Sequence, residues 1–228
     1  DSRQSRGLGD VYKRQDETIR QFAADGTSLV DLISSQGALP GIKVDKGLQP
    51  IGDSKESLTQ GLEGLDERLK EYFSLGAKFT KWRAVINIDN LLPSSEAISA
   101  NMQALADYAK VVQDNNMVPM VEPEVLMDGV HSIDDCYDAT SRCLESLFSS
   151  LQDKGVDISG TILKPNMVTS GSDAKDKAGI EEVAQRTVKC LKENVPNELP
   201  GITFLSGGQS DIDATAHLDA MNKIGGFD

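Results

Sequence analysis

The sequence predicts an α/β fold of the (β/α)8 TIM-barrel type, present in part. Five short apolar runs that carry charged or polar residues recur along the chain, at 41–46, 79–86, 118–125, 161–166 and 202–208. From Lys43 to Lys81, Glu122, Lys164 and Ser206 the steps are 38, 41, 42 and 42 residues. That is the length of one strand, one helix and two loops. Helical patterns without hairpin signals separate the runs, which implies a parallel sheet with right-handed crossovers. A doubly wound sheet would also fit the alternation, but it concentrates its site at one switch point. Here five successive strands each offer polar groups, as barrels do at the carboxyl ends of their strands.

The elements follow in order. Residues 16–23 read as helical, and 26–36 hold a second short amphipathic piece before the first strand. Residues 61–75 form a helix with Leu62, Leu65, Leu69 and either Tyr72 or Phe73 on one face, stopped by Gly76. After the 79–86 strand, Ser94 and Ser95 cap a helix whose apolar stripe is Ile98, Met102, Leu105, Tyr108, Ala109 and Val112. Ser132 opens the helix that follows the 118–125 strand and runs to Lys154. Residues 180–194 are the next helix, closed by Pro196. The last is 211–221, just after a glycine pair. Five of eight strands are readable and a sixth would be due where the sequence stops, so the expectation is a barrel incomplete at both ends. Residues 1–15 lack either periodicity and carry four basic and two acidic side chains, +2, leaving −15 of the total −13 for the other 213. They read as a flexible tail or a sequence artefact, and the barrel domain as 16–228.

Composition narrows the function. A formal net charge of −13 argues against a nucleic-acid surface, which needs a basic patch. It leaves anionic small molecules open, since a few local lysines and arginines decide that. No apolar run approaches the ~20 residues needed to span a bilayer. Cys136, Cys143 and Cys190 show no metal-ligand spacing, and their odd number favours a reducing compartment over a structural disulfide. His131 and His217 form no HxH or HxxxH motif, so neither a metal nor another cofactor is expected.

The chemistry lies in the strands. Side chains at i and i+2 of a strand share a face, which sets Lys43 beside Asp45, Lys81 beside Arg83 and Glu122 beside Glu124. Burying unpaired charge costs several kcal/mol per ion, so charges where a core strand carries Val or Leu mark a site. Lys164 ends a buried strand, where Pro165 and Asn166 turn the chain. It is either a structural cation paired with Glu122 or Glu124, or a nucleophilic amine that forms a Schiff base with a carbonyl substrate. Desolvation and a nearby cation lower an amine towards neutrality, and Lys81 and Arg83 could supply that cation. A protonated imine is an electron sink, so an adjacent carbon–carbon bond can break without a metal. Glu122 and Glu124 are either salt-bridge partners or the proton-transfer groups. Ser206, Gly207 and Gly208 join a strand to a helix, where glycines let backbone N–H groups approach an oxyanion and the helix end adds positive charge. With Lys43, Lys81 and Arg83 for a second anion, the implied substrate is a carbonyl compound with phosphate at both ends.

These motifs resemble class I fructose-bisphosphate aldolase: GIKVDKGL at 41–48, KWR at 81–83, VPMVEPEVLMDG at 118–129, TILKPNMV at 161–168 and FLSGGQS at 204–210. The resemblance runs from about residue 16 to the C-terminus and corresponds to about strands 3–7 of the barrel. It implies a lyase that needs no metal and cleaves fructose 1,6-bisphosphate to dihydroxyacetone phosphate and glyceraldehyde 3-phosphate, in glycolysis, gluconeogenesis or the Calvin cycle. It also implies a homotetramer in the cytoplasm or the plastid stroma. Lys164 matches the Schiff-base lysine, Glu122 the glutamate that moves protons, Lys81 the assisting lysine and Glu124 the second carboxylate. Ser206, Gly207 and Gly208 match the turn that binds one phosphate, and Lys43 and Arg83 the basic residues on the side of the other, with Asp45 in the same substrate-binding set. Nothing here matches the aspartate of the family's first strand, and its phosphate-binding arginine of strand eight would lie beyond residue 228. The piece alone is therefore expected to be inactive. Two further readings are a different Schiff-base sugar-phosphate enzyme, such as a transaldolase, and a non-catalytic scaffold that kept the barrel.

Overall fold

Alternate positions of the central strands carry different chemistry, and this sorts the fold into two faces. The computed structural model describes residues 18–225. Its elements are α1 (Leu29–Ser35), β1 (Gly41–Lys43), β2 (Leu48–Pro50), β3 (Ser57–Thr59), α2 (Leu65–Ser74), β4 (Phe79–Ile86), α3 (Ser95–Asp114), β5 (Val118–Val125), α4 (Ile133–Asp153), a 3-10 turn (Ile158–Gly160), β6 (Ile162–Leu163), α5 (Ile180–Asn194) and α6 (Asp211–Ile224). Strands β1, β4, β5 and β6 form one parallel sheet in that order. A helix lies between successive strands, and the whole is a partial (β/α) barrel.

One face of the sheet presents Ile42, Trp82, Ala84, Ile86, Val121, Val125 and Leu163, all buried. They pack with the apolar sides of α2, α3 and α4, where Leu69, Met102, Leu105, Leu144 and Leu147 are fully buried. Trp82 and Tyr108 stack at 5.3 Å between ring centroids; the Tyr108 hydroxyl meets Thr80 Oγ1 at 2.7 Å, whereas the buried Trp82 Nε1 has no hydrogen-bond partner among the described residues. Leu144→Ala would empty a fully enclosed site between α4 and the sheet, and about 2–5 kcal/mol of stability should be lost. Denaturant unfolding of the full-length polypeptide measures it. The other face carries the charges.

The helices begin where the sequence places their caps. Ser94 Oγ accepts from Ala97 N at 3.1 Å, and Ser132 and Asp135 make a reciprocal capping box. The 26–36 piece is α1. The 61–75 helix is α2 and starts only at Leu65, after Gly64; Leu62 precedes it and is exposed, and Tyr72 rather than Phe73 is the buried aromatic.

Three features differ from the sequence reading. Residues 202–208 do not form a strand but touch β6 through one bridge, Leu163 to Ile202. The chain stays aligned through Thr203 N to Leu163 O at 2.9 Å and Leu205 N to Pro165 O at 3.4 Å; Pro165, without an N–H, gives nothing back. Of the helix expected at 16–23, Thr18 is helical, and the chain after it is a turn and a bridge from Phe22 to Ser28. There Asp25 and Gly26 close a tight turn, with Ala23 N bonded to Thr27 O at 2.8 Å and Thr27 N to Asp25 Oδ1 at 2.9 Å. Residues 16, 17 and the 1–15 tail lie outside the described residues. Finally, β2 and β3 form an antiparallel hairpin after β1 that the sequence reading passed over. It is pinned to α3 by Glu56, whose carboxylate accepts from Ser94 N at 2.8 Å and Ser94 Oγ at 2.7 Å.

The loop between β5 and α4 holds the buried His131, whose two ring nitrogens have no hydrogen-bond partner among the described residues. Burial pushes its pKa below the usual 6.5, opposed by the charges of Asp135 and Asp128. Burial also pushes His217 down. A histidine that the fold keeps neutral binds its proton more weakly than in the unfolded chain. Its contribution is therefore complete above pH 6.5 and is lost as pH falls through the folded value. The full-length polypeptide should melt at lower temperature at pH 5 than at pH 7, and His131→Phe should flatten that slope. An unchanged slope in the variant would show that the loss comes from other groups.

Candidate active site

The charged face is arranged in levels fixed by strand register. Lys43 of β1 pairs with Lys81 of β4, and Arg83 with Glu122 of β5. Continued at the same offsets, Asp45 stands level with Arg83, and Lys164 level with Glu122. Lys43 and Lys81 therefore lie one layer deeper than Asp45, Arg83, Glu122 and Lys164, and Glu124 stands one layer above them. Layered inward side chains of this kind are the way a barrel fills its interior.

Glu122 is the hub. Its Oε1 accepts from Lys164 Nζ at 2.9 Å, and its Oε2 accepts from Lys81 Nζ. The carboxylate is 4% exposed, the two amines 17% and 10%. One buried carboxylate thus faces two amines, which leaves an excess of positive charge in a desolvated place. Burial is the main reason that the Lys81 pKa falls below 10.5, and the charge of Lys164 adds to it; the attraction of Glu122 opposes both. Lys164 is held at the end of β6 by its backbone N–H, bonded to Val121 O at 2.8 Å.

Glu124 and Glu122 share a face, as the spacing requires, but they do not share a proton site. Glu124 accepts from Arg83 Nε instead. Burial disfavours the charged guanidinium, yet the hydrogen bond and charge of Glu124, with Glu122 and Asp45 beyond, leave the Arg83 pKa raised. The Arg83 side chain is 41% exposed, so it reaches solvent at the mouth. Asp45 is the matching anion on β1: its Oδ1 accepts from Lys43 Nζ and its Oδ2 from Arg83 N at 3.3 Å. Thr59 of the hairpin donates its hydroxyl to Arg83 O at 2.8 Å. Arg83 is thus fixed through its own N–H and C=O, a support with no signature in the sequence.

Ser206, Gly207 and Gly208 form a turn before α6. Gly207 and Gly208 have φ of 62° and 93°, which favour glycine. A Cβ on Gly207 would also stand 2.9 Å from Leu205 Cδ1. Gln209 folds back on the turn, with Nε2 donating to Ser206 O at 2.7 Å, and Ser210 caps α6 through Asp213 N at 3.1 Å. The turn is joined to the Lys164 segment by the Leu205–Pro165 bond, and Gly208 approaches Met127, just past β5. All ten residues singled out in the sequence therefore lie on this charged face or at the strand ends and turn beside it. Among the described residues, no group of three or more His, Cys, Asp or Glu is placed to hold a metal ion, and no helix is long and apolar enough to cross a membrane.

Comparison with known proteins agrees with this geometry. The family model of class-I fructose-bisphosphate aldolase matches residues 11–227. A probable fructose-bisphosphate aldolase class 1 of Xanthomonas axonopodis pv. citri is 54% identical over 211 residues, covering 92% of this chain and 63% of that protein. The cytosolic fructose-bisphosphate aldolase 6 of Arabidopsis thaliana is 49% identical over 210 residues, 92% of this chain and 58% of its own length. The solved structure of fructose-bisphosphate aldolase from Plasmodium falciparum, in complex with TRAP and a small-molecule inhibitor, superposes with a TM-score of 0.90 at 44% identity, covering 92% of this chain and 62% of that one. The chain spans somewhat under two thirds of these relatives. It belongs to the class-I fructose-bisphosphate aldolase family.

Proposed function

We propose that the polypeptide to which this chain belongs cleaves fructose 1,6-bisphosphate reversibly through a Schiff base on Lys164. The observation that carries the proposal is the single buried carboxylate of Glu122 bonded to both Lys164 and Lys81. The amine of Lys164 attacks the substrate carbonyl, and the carbinolamine loses water to give the imine. Glu122 lies against the attacking nitrogen and can take its proton, then return it to the departing hydroxyl. Lys81, whose charged form burial disfavours, serves as the neighbouring donor to substrate hydroxyls. The imine accepts the electron pair of the breaking carbon–carbon bond. Glu122, ionised again, takes the proton of the hydroxyl that becomes the aldehyde and can later return it to the enamine carbon. Glyceraldehyde 3-phosphate leaves, and the enamine is protonated and hydrolysed to dihydroxyacetone phosphate.

We assign the dihydroxyacetone-side phosphate to the Ser206–Gly207–Gly208 turn at the start of α6, and the second phosphate to Arg83 and Lys43. Both cations hold a carboxylate partner here, Glu124 and Asp45 respectively. An arriving phosphate must share or displace them, which sets the two carboxylates up as gates for the second anion. We further propose a homotetrameric assembly in the cytoplasm or plastid stroma, in line with relatives that include cytosolic isozymes. Purified full-length polypeptide should release both triose phosphates from fructose 1,6-bisphosphate in a coupled assay, with equal rates before and after EDTA. Loss of activity in EDTA that zinc restores would contradict the mechanism.

A further inference from the structure

The parallel ladder between β5 and β6 stops at the level of the reactive groups. On β5, even positions bond towards β4, as Leu126 N does to Ile86 O at 2.9 Å, and odd positions bond towards β6, as Val121 O does to Lys164 N at 2.8 Å. The next donor due on that side is residue 123, and Pro123 has no N–H to give. Pro165 faces the other way, accepting from Leu205 N at 3.4 Å, so the gap in this ladder is made by the proline of β5. The two strands therefore lose their backbone bonds at the point where Glu122 and Lys164 must be held within 2.9 Å of each other.

We propose that Asn166 is a positioning residue that replaces the missing ladder and sets the distance between Lys164 and the carboxylates of β5. The inference rests on the function proposed above. Asn166 is 4% exposed. Its Oδ1 accepts from Val125 N at 3.0 Å, the next N–H of β5 turned towards β6, which would otherwise be buried without a partner. Its Nδ2 donates to Thr140 Oγ1 on α4 at 3.1 Å and to Met167 O at 3.1 Å. One amide thus ties β5 beyond Glu124, the turn after Lys164 and the helix between them. Downstream, Val168 N is bonded to Thr187 Oγ1 of α5 at 2.9 Å, so the segment is fixed at its other end as well.

The test uses the full-length polypeptide with Asn166→Ala, Asn166→Ser and Thr140→Val. The readouts are kcat and KM on fructose 1,6-bisphosphate, the rate at which borohydride traps dihydroxyacetone phosphate on Lys164, and hydrogen exchange of the Val125 amide. Misplacing reacting groups by about 1 Å can cost about 100-fold, so Asn166→Ala should slow kcat and trapping about 10- to 100-fold with KM little changed and Val125 exchange faster. Thr140→Val keeps the Val125 bond and should lose no more than about fivefold, the worth of one ordinary hydrogen bond. Asn166→Ala that melts earlier but keeps the parent kcat and trapping rate would reduce Asn166 to a structural residue and overturn the proposal. Should the alanine variant fail to fold, Asn166→Ser decides in the same way, slowed trapping supporting the proposal and unchanged trapping overturning it. If the parent itself traps no substrate, the proposed function falls, and Val125 exchange alone then decides whether Asn166 holds the strand ends.

Discussion

Glu122→Gln in the full-length polypeptide should lower kcat by about 10²- to 10⁴-fold, the range in which a positioned acid–base group contributes. The geometry gives the reason. Glu122 is bonded to both amines of the site, and an amide cannot take the proton of the attacking amine. The same change acts on stability. Gln removes the carboxylate charge that faces the two buried amines, and breaking a buried pair by removing one partner costs about 3–5 kcal/mol. Its pH dependence has a definite sign. With Glu122 gone, the burial of Lys81 is no longer opposed by that carboxylate and its charged form is disfavoured further in the fold, so the unfolded chain binds that proton more tightly. Stability should then rise as pH climbs from the depressed folded value towards the ordinary lysine value of about 10.4. A variant with normal kcat, or one whose melting temperature falls between pH 7 and pH 9, would contradict the assignment of Glu122.

Arg83→Ala should weaken cleavage of the bisphosphate about ten- to a hundredfold, since a charge-assisted guanidinium–phosphate contact contributes about 1.5–3 kcal/mol. It should affect a substrate that lacks the second phosphate much less. Two features of the site sharpen the expectation. Arg83 is the most exposed of the paired cations on this face, which places its guanidinium where an incoming anion arrives. Its loss also leaves the buried Glu124 carboxylate without its cation; negative charge then faces the second phosphate. Equal losses on the two substrates would show that Arg83 acts on the fold or the chemical step instead.

Much of this arrangement was legible in the sequence because barrel chemistry is written in strand positions. The i, i+2 rule put Lys43 with Asp45 and Glu122 with Glu124, and the near-constant 41–42 residue steps anticipated the level that Glu122 and Lys164 share. Ser94 and Ser132 announced their helices because capping is a local interaction. What the sequence did not disclose is pairwise and non-local. It left Glu122 and Glu124 as salt-bridge partners or proton-transfer groups without saying which cations each meets; Glu122 takes Lys81 and Lys164, Glu124 takes Arg83, and only the register decides that. Burial pushes the Lys81 amine down, one layer deeper than Lys164, and no spacing in the sequence announces that. The fifth run was read as a strand from its apolar residues, but Pro165 denies its neighbour the return bonds. The hairpin from β2 to β3 was missed because its strands are three residues each and its turn, around Gly52 and Asp53, lies inside what looks like a loop.

The central claim is that Lys164, and no other amine of the site, becomes covalently bonded to substrate. Lys81 is its serious rival, buried beside the same carboxylate and pushed towards neutrality. The deciding measurement is reduction of the full-length polypeptide with borohydride in the presence of dihydroxyacetone phosphate, followed by peptide mass spectrometry. The account predicts one adduct, on Lys164. An adduct on Lys81 or Lys43 would contradict it.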